Sequence, residues 1–190
     1  MSGLTEIRWH GRAGQGVVTA GEVLAEAALE EGKYFQAFPD YGPERMGAPI
    51  RSFTRISDQP IDLHCQIQEP DVVVIVDPTI IGVVAVTEGL KPDGVVVVNS
   101  PESPAALRKK LKLSGGKVFS LDATRLALDT IGRAIPNTPM LGALVKATGM
   151  VKLESVITLT RERLGEKLRA DVVEANVKAI ERAYNEVTSG

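Results

Sequence analysis

The 190-residue chain carries 22 lysine and arginine residues against 24 aspartate and glutamate residues, and this near balance argues against a nucleic-acid-binding protein, which usually shows a basic excess. With Cys65 as its single cysteine, the chain forms no internal disulfide and lacks the roughly four thiolates that an iron–sulfur cluster needs. The lack of a signal-peptide pattern and of ~18 uninterrupted apolar residues predicts a cytoplasmic protein without a membrane span, and the length suits one domain.

The first third of the chain combines strands with a glycine-rich loop and a helix. Residues 6–10 are predicted to form a strand, and the helix after the loop has an apolar face and ends near Gly32. A second strand is predicted at residues 34–37. Residues 38–49 contain three prolines and two glycines, which predicts a long loop before a strand at residues 50–57.

Two short runs of β-branched residues, 72–76 and 95–98, show no alternation of apolar and polar side chains. Such runs are typical of strands that are buried on both faces of a parallel sheet. A further strand is predicted at residues 117–120.

Helices are predicted between and after these strands. Asp122 is placed to cap one of them, and Thr138 is expected to cap another with Pro139 as its first residue. The predicted helices cover residues 79–89, 103–111, 123–131, 139–148 and 153–187, the last of which is interrupted near residue 165. This alternation predicts an α/β fold, a three-layer α/β/α sandwich around a mostly parallel sheet with a helical C-terminal tail.

The loop between the first strand and the first helix contains Gly11, Gly14 and Gly16. Glycine lets a backbone turn tightly beside a ligand, and a helix N-terminus offers free N–H groups to an anion. The spacing is neither the dinucleotide fingerprint nor the phosphate-binding Walker loop, and no acidic residue ends the second strand, where Ala37 and Phe38 stand. Two interpretations remain at this point, an anion-binding loop and a tight turn without a ligand.

Several segments together carry a resemblance to a known family. They are residues 7–16, 36–45, 47–51, 70–74, 98–100, 122–124 and 135–144. Their sequence and order resemble the gamma subunits of pyruvate:ferredoxin oxidoreductases along nearly the whole chain, which implies a single gamma domain over residues 1–190 with a helical tail at about 153–187.

The resemblance implies one subunit of a larger enzyme. Such complexes convert pyruvate, coenzyme A (CoA) and oxidised ferredoxin reversibly to acetyl-CoA, CO2 and reduced ferredoxin. They use thiamine diphosphate, Mg²⁺ and iron–sulfur clusters, which alpha, beta and delta subunits carry. This chain has one cysteine and no Gly-Asp-Gly segment with a following Asn that would bind a magnesium diphosphate. We therefore assign it no catalytic residue and no metal ligand, and expect the isolated chain to be inactive.

One segment departs from the family pattern. Many relatives have Arg-Gly-Gly where this chain has Met46-Gly47-Ala48, and we take this departure to favour pyruvate. A gamma subunit acting on 2-oxoisovalerate or 2-oxoglutarate is the alternative, as is an independent nucleotide- or CoA-binding module.

The candidate binding residues lie in two segments that are expected to meet at the carboxyl ends of the strands, where ligands bind in open α/β sheets. Arginine side chains beside free backbone donors suit the phosphates of CoA. The predicted contacts are with CoA or with a partner subunit, and involve Gly11, Arg12, Gly14, Gln15, Gly16, Arg45 and Arg51. The alternative is that these arginines pair with carboxylates such as Asp40 or Glu44.

Five further residues have both a functional and a structural interpretation. His10 is either a proton donor or a structural histidine with its hydrogen bonds satisfied, and the second is favoured. The adjacent His64 and Cys65 point to opposite faces of an extended chain, which disfavours a metal site. Asp77 and Asn99 follow predicted buried strands, and are either part of the crevice or ordinary turn residues.

Overall fold

Runs of valine and isoleucine form the centre of a mixed sheet, and this computed structural model describes residues 3–40 and 47–190. Seven strands lie in these described ranges, and the four residues of the fourth strand are all buried. The strands are β1 (Leu4–Arg12), β2 (Tyr34–Pro39), β3 (Pro49–Ser57), β4 (Val72–Ile75), β5 (Val95–Asn99), β6 (Lys117–Leu121) and β7 (Thr188–Ser189).

The strand order across the sheet is β2-β3-β1-β4-β5-β6-β7. The neighbours β1, β4, β5 and β6 run parallel, as predicted. Antiparallel strands flank this centre, with β3 beside β1, β2 beside β3 and β7 beside β6. The β1–β3 register pairs His10 with Arg51 and Arg12 with Pro49, so the carboxyl end of β1 adjoins the start of β3.

Helices cover both faces of the sheet, but unequally. They are α1 (Val17–Glu30), α2 (Pro104–Lys110), α3 (Ala123–Ile131), α4 (Asn137–Thr148), α5 (Leu153–Gly165) and α6 (Ala170–Glu186). Five of these helices share one large apolar core with β1, in which Trp9, Leu144 and Ile180 are buried. On the other face, Leu107 of α2 packs in a smaller cluster with Val96. The predicted α/β fold with C-terminal helices is confirmed.

Most predicted caps and boundaries are confirmed. The Asp122 carboxylate accepts a hydrogen bond from Arg125 N at 3.0 Å and caps α3. The C-terminal helical region is interrupted after Gly165, as predicted. The start of α4 was predicted wrongly: the helix begins at Asn137, and Pro136 rather than Thr138 occupies the cap position.

The helix predicted over residues 79–89 is absent, and this prediction was wrong. A single 3-10 turn, Pro78–Ile80, is followed by turns in this described segment. Gly82 adopts a φ of 87°, a left-handed conformation that ends helical geometry. The carbonyls of Val86 and Glu88 instead accept hydrogen bonds from Arg8, so a contact distant in sequence shapes the segment.

Within the described residues, none of the helices is both long enough and apolar enough to cross a bilayer.

Candidate functional site

The loop over residues 11–16 connects the carboxyl end of β1 to the start of α1. Gly14 and Gly16 have φ values of 93° and 70°, which L side chains rarely adopt. Gly16 precedes α1, and no side chain caps this helix. The local backbone therefore requires glycine, and the first-turn N–H groups of α1 have no side-chain acceptor at the cap position.

A side-chain relay connects this loop to the end of β4. Gln15 Oε1 accepts a hydrogen bond from Arg12 N at 2.8 Å, while Gln15 Nε2 donates to Asp77 Oδ2 at 2.7 Å. The other carboxylate oxygen of Asp77 accepts from Thr79 N at 2.9 Å and from the Thr79 hydroxyl at 2.6 Å. The turn after β4 thus fixes the loop after β1.

Asp77 is ionised in this environment although it is buried. Burial by itself disfavours the charged carboxylate. Hydrogen bonds from Thr79 and Gln15, together with the positive charge of Arg12, outweigh burial and lower the pKa of Asp77 from its ordinary value. A carboxylate that accepts several hydrogen bonds is an acceptor on every side, so its neighbours have to present donors.

Arg12 is held at the rim of the loop by contacts with three residues. Its Nε lies 3.3 Å from Asp77 Oδ2 and 3.2 Å from Thr79 Oγ1, and its Nη1 donates to Gly47 O at 2.9 Å. Its Nη2 donates to Thr79 Oγ1 at 3.0 Å. A guanidinium group has five N–H donors, so two of them have no acceptor among the described residues. The side chain is 31% exposed.

Arg51 lies two residues into β3 and pairs with a neighbouring carboxylate. Its Nη2 is 2.6 Å from Asp40 Oδ2, and its side chain is 45% exposed. This pair is the alternative that the sequence left open for Arg51. Arg12 pairs instead with Asp77, which the sequence did not predict as its partner. Arg45 and Glu44 lie outside the described residues.

The two predicted segments meet at the carboxyl end of β1. Ala13 N donates to Ala48 O at 2.9 Å, and Gly47 N donates to Ala13 O at 3.4 Å. The β1–β3 ladder continues this contact to Arg12 and Pro49. For residues 47–51, the predicted meeting with the glycine loop is therefore confirmed.

His10 and Arg8 form a buried pair on one face of β1. His10 is 2% exposed, and its Nε2 accepts a hydrogen bond from Arg8 Nε at 3.1 Å. Burial, followed by the charges of Arg8 and Arg51, lowers the pKa of His10 to about 3. His10 is therefore a neutral imidazole near pH 7, which supports the structural interpretation over a role as proton donor. The expectation that its hydrogen bonds are satisfied holds for Nε2 only, since Nδ1 has no partner among the described residues.

Arg8 is the residue that sequence reasoning missed. It is 4% exposed and donates through Nη2 to the carbonyls of Val86, at 3.2 Å, and Glu88. Burial is the main reason why its pKa is lowered. In the sequence, Arg8 stands between the apolar residues Ile7 and Trp9 of a strand. This alternation also fits a solvent-exposed side chain, so it did not indicate that Arg8 is buried.

Asn99 lies at the carboxyl end of β5 and has a structural role. Its Nδ2 donates to Val76 O at 2.8 Å and to Thr124 Oγ1 at 2.9 Å, and its Oδ1 accepts from Thr124 N at 3.2 Å. These bonds join β4, β5 and α3 and occupy the amide. Cys65 is exposed, and in residues 3–40 and 47–190 no three or more His, Cys, Asp or Glu side chains are grouped so that they could hold a metal ion.

Comparisons with known proteins match this arrangement over nearly its full length. The family described as pyruvate ferredoxin/flavodoxin oxidoreductase matches residues 6–186. The chain is 50% identical over 182 residues to pyruvate synthase subunit PorC of Thermotoga maritima, covering 96% of this chain and 94% of that protein. It is 52% identical over 182 residues to the common gamma subunit of the pyruvate/ketoisovalerate oxidoreductases of Thermococcus kodakarensis, covering 96% of each.

The fold agrees with these sequence matches. The crystal structure of pyruvate oxidoreductase subunit PORC from Thermotoga maritima superposes with a TM-score of 0.88 at 47% identity, and the match covers 98% of both chains. A match of this extent includes the glycine loop, the antiparallel flank and the C-terminal helices. The chain belongs to the pyruvate ferredoxin/flavodoxin oxidoreductase family.

Proposed function

We propose that this chain is the gamma subunit of a multi-subunit pyruvate:ferredoxin oxidoreductase. The enzyme interconverts pyruvate, CoA and oxidised ferredoxin with acetyl-CoA, CO2 and reduced ferredoxin. The observation that supports this most is the identity of 50% and 52% to two named oxidoreductase subunits over at least 94% of their lengths.

The chain's own residues do not suit the cofactors of this reaction. An iron–sulfur cluster needs about four thiolates, whereas Cys65 is the only cysteine. The sequence also lacks the Gly-Asp-Gly and Asn motif that would bind Mg²⁺ and thiamine diphosphate. We assign these cofactors to alpha, beta and delta subunits, and assign this chain a scaffold role with a contribution to CoA binding.

The glycine loop is the part of the chain best suited to CoA. The uncapped N-terminus of α1 attracts anions. Arg12 is partly exposed and has donors left after its contacts with the described residues. Arg51 is more exposed but carries Asp40 as a competitor. The shape of the loop depends on Gly11, Gly14, Gln15 and Gly16. The proposed CoA-binding residues also include Arg45.

Substituting Arg12 in the assembled complex tests the CoA contribution. Arg12→Ala should raise the KM for CoA roughly tenfold, because a hydrogen bond to a charged group is worth about 1.5–3 kcal/mol. Arg161→Ala is the matched control, since Arg161 is an exposed arginine paired with Glu174 on α6. An Arg12→Ala complex with the KM of the control complex would remove CoA binding from this loop.

The subunit assignment has its own test. Purified chain alone should reduce no ferredoxin with pyruvate and CoA, whereas addition of the alpha, beta and delta subunits should restore the reaction. Pyruvate oxidation by the chain alone would contradict the assignment.

A second substrate class is supported by one comparison. The Thermococcus kodakarensis relative is named as common to pyruvate and ketoisovalerate oxidoreductases. If this chain is shared in the same way, a tagged copy purified from its native cell should bring down two sets of partner subunits. The preparation should then reduce ferredoxin with either 2-oxoacid. One partner set and activity with pyruvate alone would restrict the chain to the first function.

A further inference from the structure

The Asp77 carboxylate is connected to both the backbone N–H and the guanidinium group of Arg12. Through Gln15, Asp77 fixes the Arg12 backbone N–H, because Gln15 bridges the two with bonds of 2.7 Å and 2.8 Å. Directly, at 3.3 Å, and through Thr79 Oγ1, Asp77 also fixes the guanidinium group. Arg12 is therefore oriented at its backbone and at its side-chain end by a residue 65 positions later.

We infer that Asp77 is a positioning residue that holds Arg12 and the glycine loop in the geometry that receives an anionic group of CoA. This inference rests on the proposed CoA role of the loop. A binding group that is already oriented loses less conformational freedom on binding, so the removal of its support weakens ligand binding without changing the reacting groups.

The hydrogen-bond inventory shows why a carboxylate is needed at position 77. Gln15 Nε2, Thr79 N and the Thr79 hydroxyl donate hydrogen bonds to it, and the positive Arg12 Nε lies 3.3 Å from its Oδ2. A neutral amide of the same shape accepts through only one atom and places an N–H group against one of these donors. Asp77→Asn therefore disrupts the relay with little change in volume.

The relay can also be restored with its polarity reversed. In the double variant Asp77→Asn with Gln15→Glu, one carboxylate oxygen of Glu accepts from Arg12 N and the other accepts from the Asn amide. The formal charge equals that of the original pair. A residue that only fills space would not respond to this exchange.

The chain supplies a matched control at the other end of β4. Asp71 lies just before β4, and its carboxylate accepts from Lys91 Nζ at 2.6 Å and from Glu6 N at 2.8 Å. Asp71→Asn thus loses a comparable ion pair at the opposite end of the parallel strands.

The experiment measures kcat and the KM values for CoA and pyruvate in the assembled complex. Asp77→Asn should raise the KM for CoA about tenfold with kcat and the pyruvate KM nearly unchanged. The double variant should recover most of the lost CoA affinity, and Asp71→Asn should leave this KM unaltered.

Three outcomes would overturn the inference. If Arg12→Ala raises the KM for CoA but Asp77→Asn matches Asp71→Asn, Asp77 does not position Arg12, while the CoA role of the loop stands. If Asp77→Asn raises this KM and the double variant does not lower it, the relay through Gln15 is wrong. If Arg12→Ala itself has no effect, the CoA role fails and the inference fails with it.

Discussion

The two faces of β1 solve the problem of burial in opposite ways. On one face, Ile7 and Trp9 pack under α1 in the large apolar core. On the other, Arg8 and His10 are 4% and 2% exposed although both are polar. The first face is stabilised by apolar area removed from water, and the second depends on hydrogen bonds that replace water.

The polar face is enclosed by loops that offer acceptors. The carbonyls of Val86 and Glu88 accept hydrogen bonds from Arg8. On the neighbouring strand β3, Arg55 is 1% exposed and forms an ion pair with Glu6 at 2.8 Å. Helices satisfy their own carbonyls internally, whereas turns leave carbonyls free for side chains. The non-helical segment over residues 79–89 is thus suited to cover a strand face that carries charge.

The largest expected effect is on the apolar face. Trp9→Ala should lower the free energy of unfolding by about 3–5 kcal/mol, because it leaves a cavity in a fully buried site. Urea denaturation followed by circular dichroism measures this difference. Tyr34→Ala is the control, since Tyr34 is 48% exposed at the sheet edge, and an equal loss in both variants would contradict the role of this core.

On the polar face, Arg8→Met should cost about 2–3 kcal/mol of unfolding free energy. Methionine retains much of the volume, but the Val86 and Glu88 carbonyls lose their donor, and His10 Nε2 loses one as well. The same denaturation experiment on Arg125→Met provides the comparison, because the Arg125 side chain is 72% exposed. Stability equal to that of the unsubstituted chain would mean that the desolvation cost of Arg8 cancels its hydrogen bonds.

The sequence predicted the buried apolar strands but not the buried arginine of β1, and the reason is physical. The runs at 72–76 and 95–98 identified buried strands because β-branched side chains suit both faces of a covered sheet. No sequence pattern predicted that Arg8 is buried, because its cover comes from segments about 80 residues later. The cap at Asp122 was predictable since its contact is three residues away.

The candidate site shows the same division. The glycine loop and its meeting with residues 47–51 followed from the strand–loop–helix pattern. The pair of Arg12 with Asp77 joins residues 65 positions apart, and no local pattern specifies it. At the start of α4, the Asn137 amide donates to Gly16 O at 3.4 Å, and this distant contact accompanies a start that local capping preferences did not predict.

The polar face, unlike the apolar face, also makes the free energy of unfolding depend on pH. The pKa of His10 is about 3 in the folded chain, against an ordinary value of 6.5. Between these values only the unfolded chain takes up the proton, so stability present above pH 6.5 is lost as pH falls, by up to about 1.4 kcal/mol for each pH unit. Denaturation of His10→Gln at pH 7, 6 and 5 should show a slope smaller by this amount.

The second histidine is the control for this slope. His64 is exposed, and His64→Gln is the comparison that removes a histidine without touching the buried pair of Arg8 and His10. Equal slopes for all three proteins would show that His10 accepts a proton in the folded state, which its contacts with Arg8 and Arg51 oppose.

The smallest expected effect comes from the side-chain hydrogen bond that joins β1 to β3 on the apolar face. Thr54 is fully buried, and its Oγ1 accepts from Trp9 Nε1 at 3.0 Å. Thr54→Val keeps the shape but leaves the indole N–H without an acceptor, which should cost about 1–2 kcal/mol. The double variant Thr54→Val with Trp9→Phe removes both partners, so its loss should be smaller than the sum of the two single losses. Strict additivity would show that this hydrogen bond contributes nothing, and that packing alone stabilises the apolar face of β1.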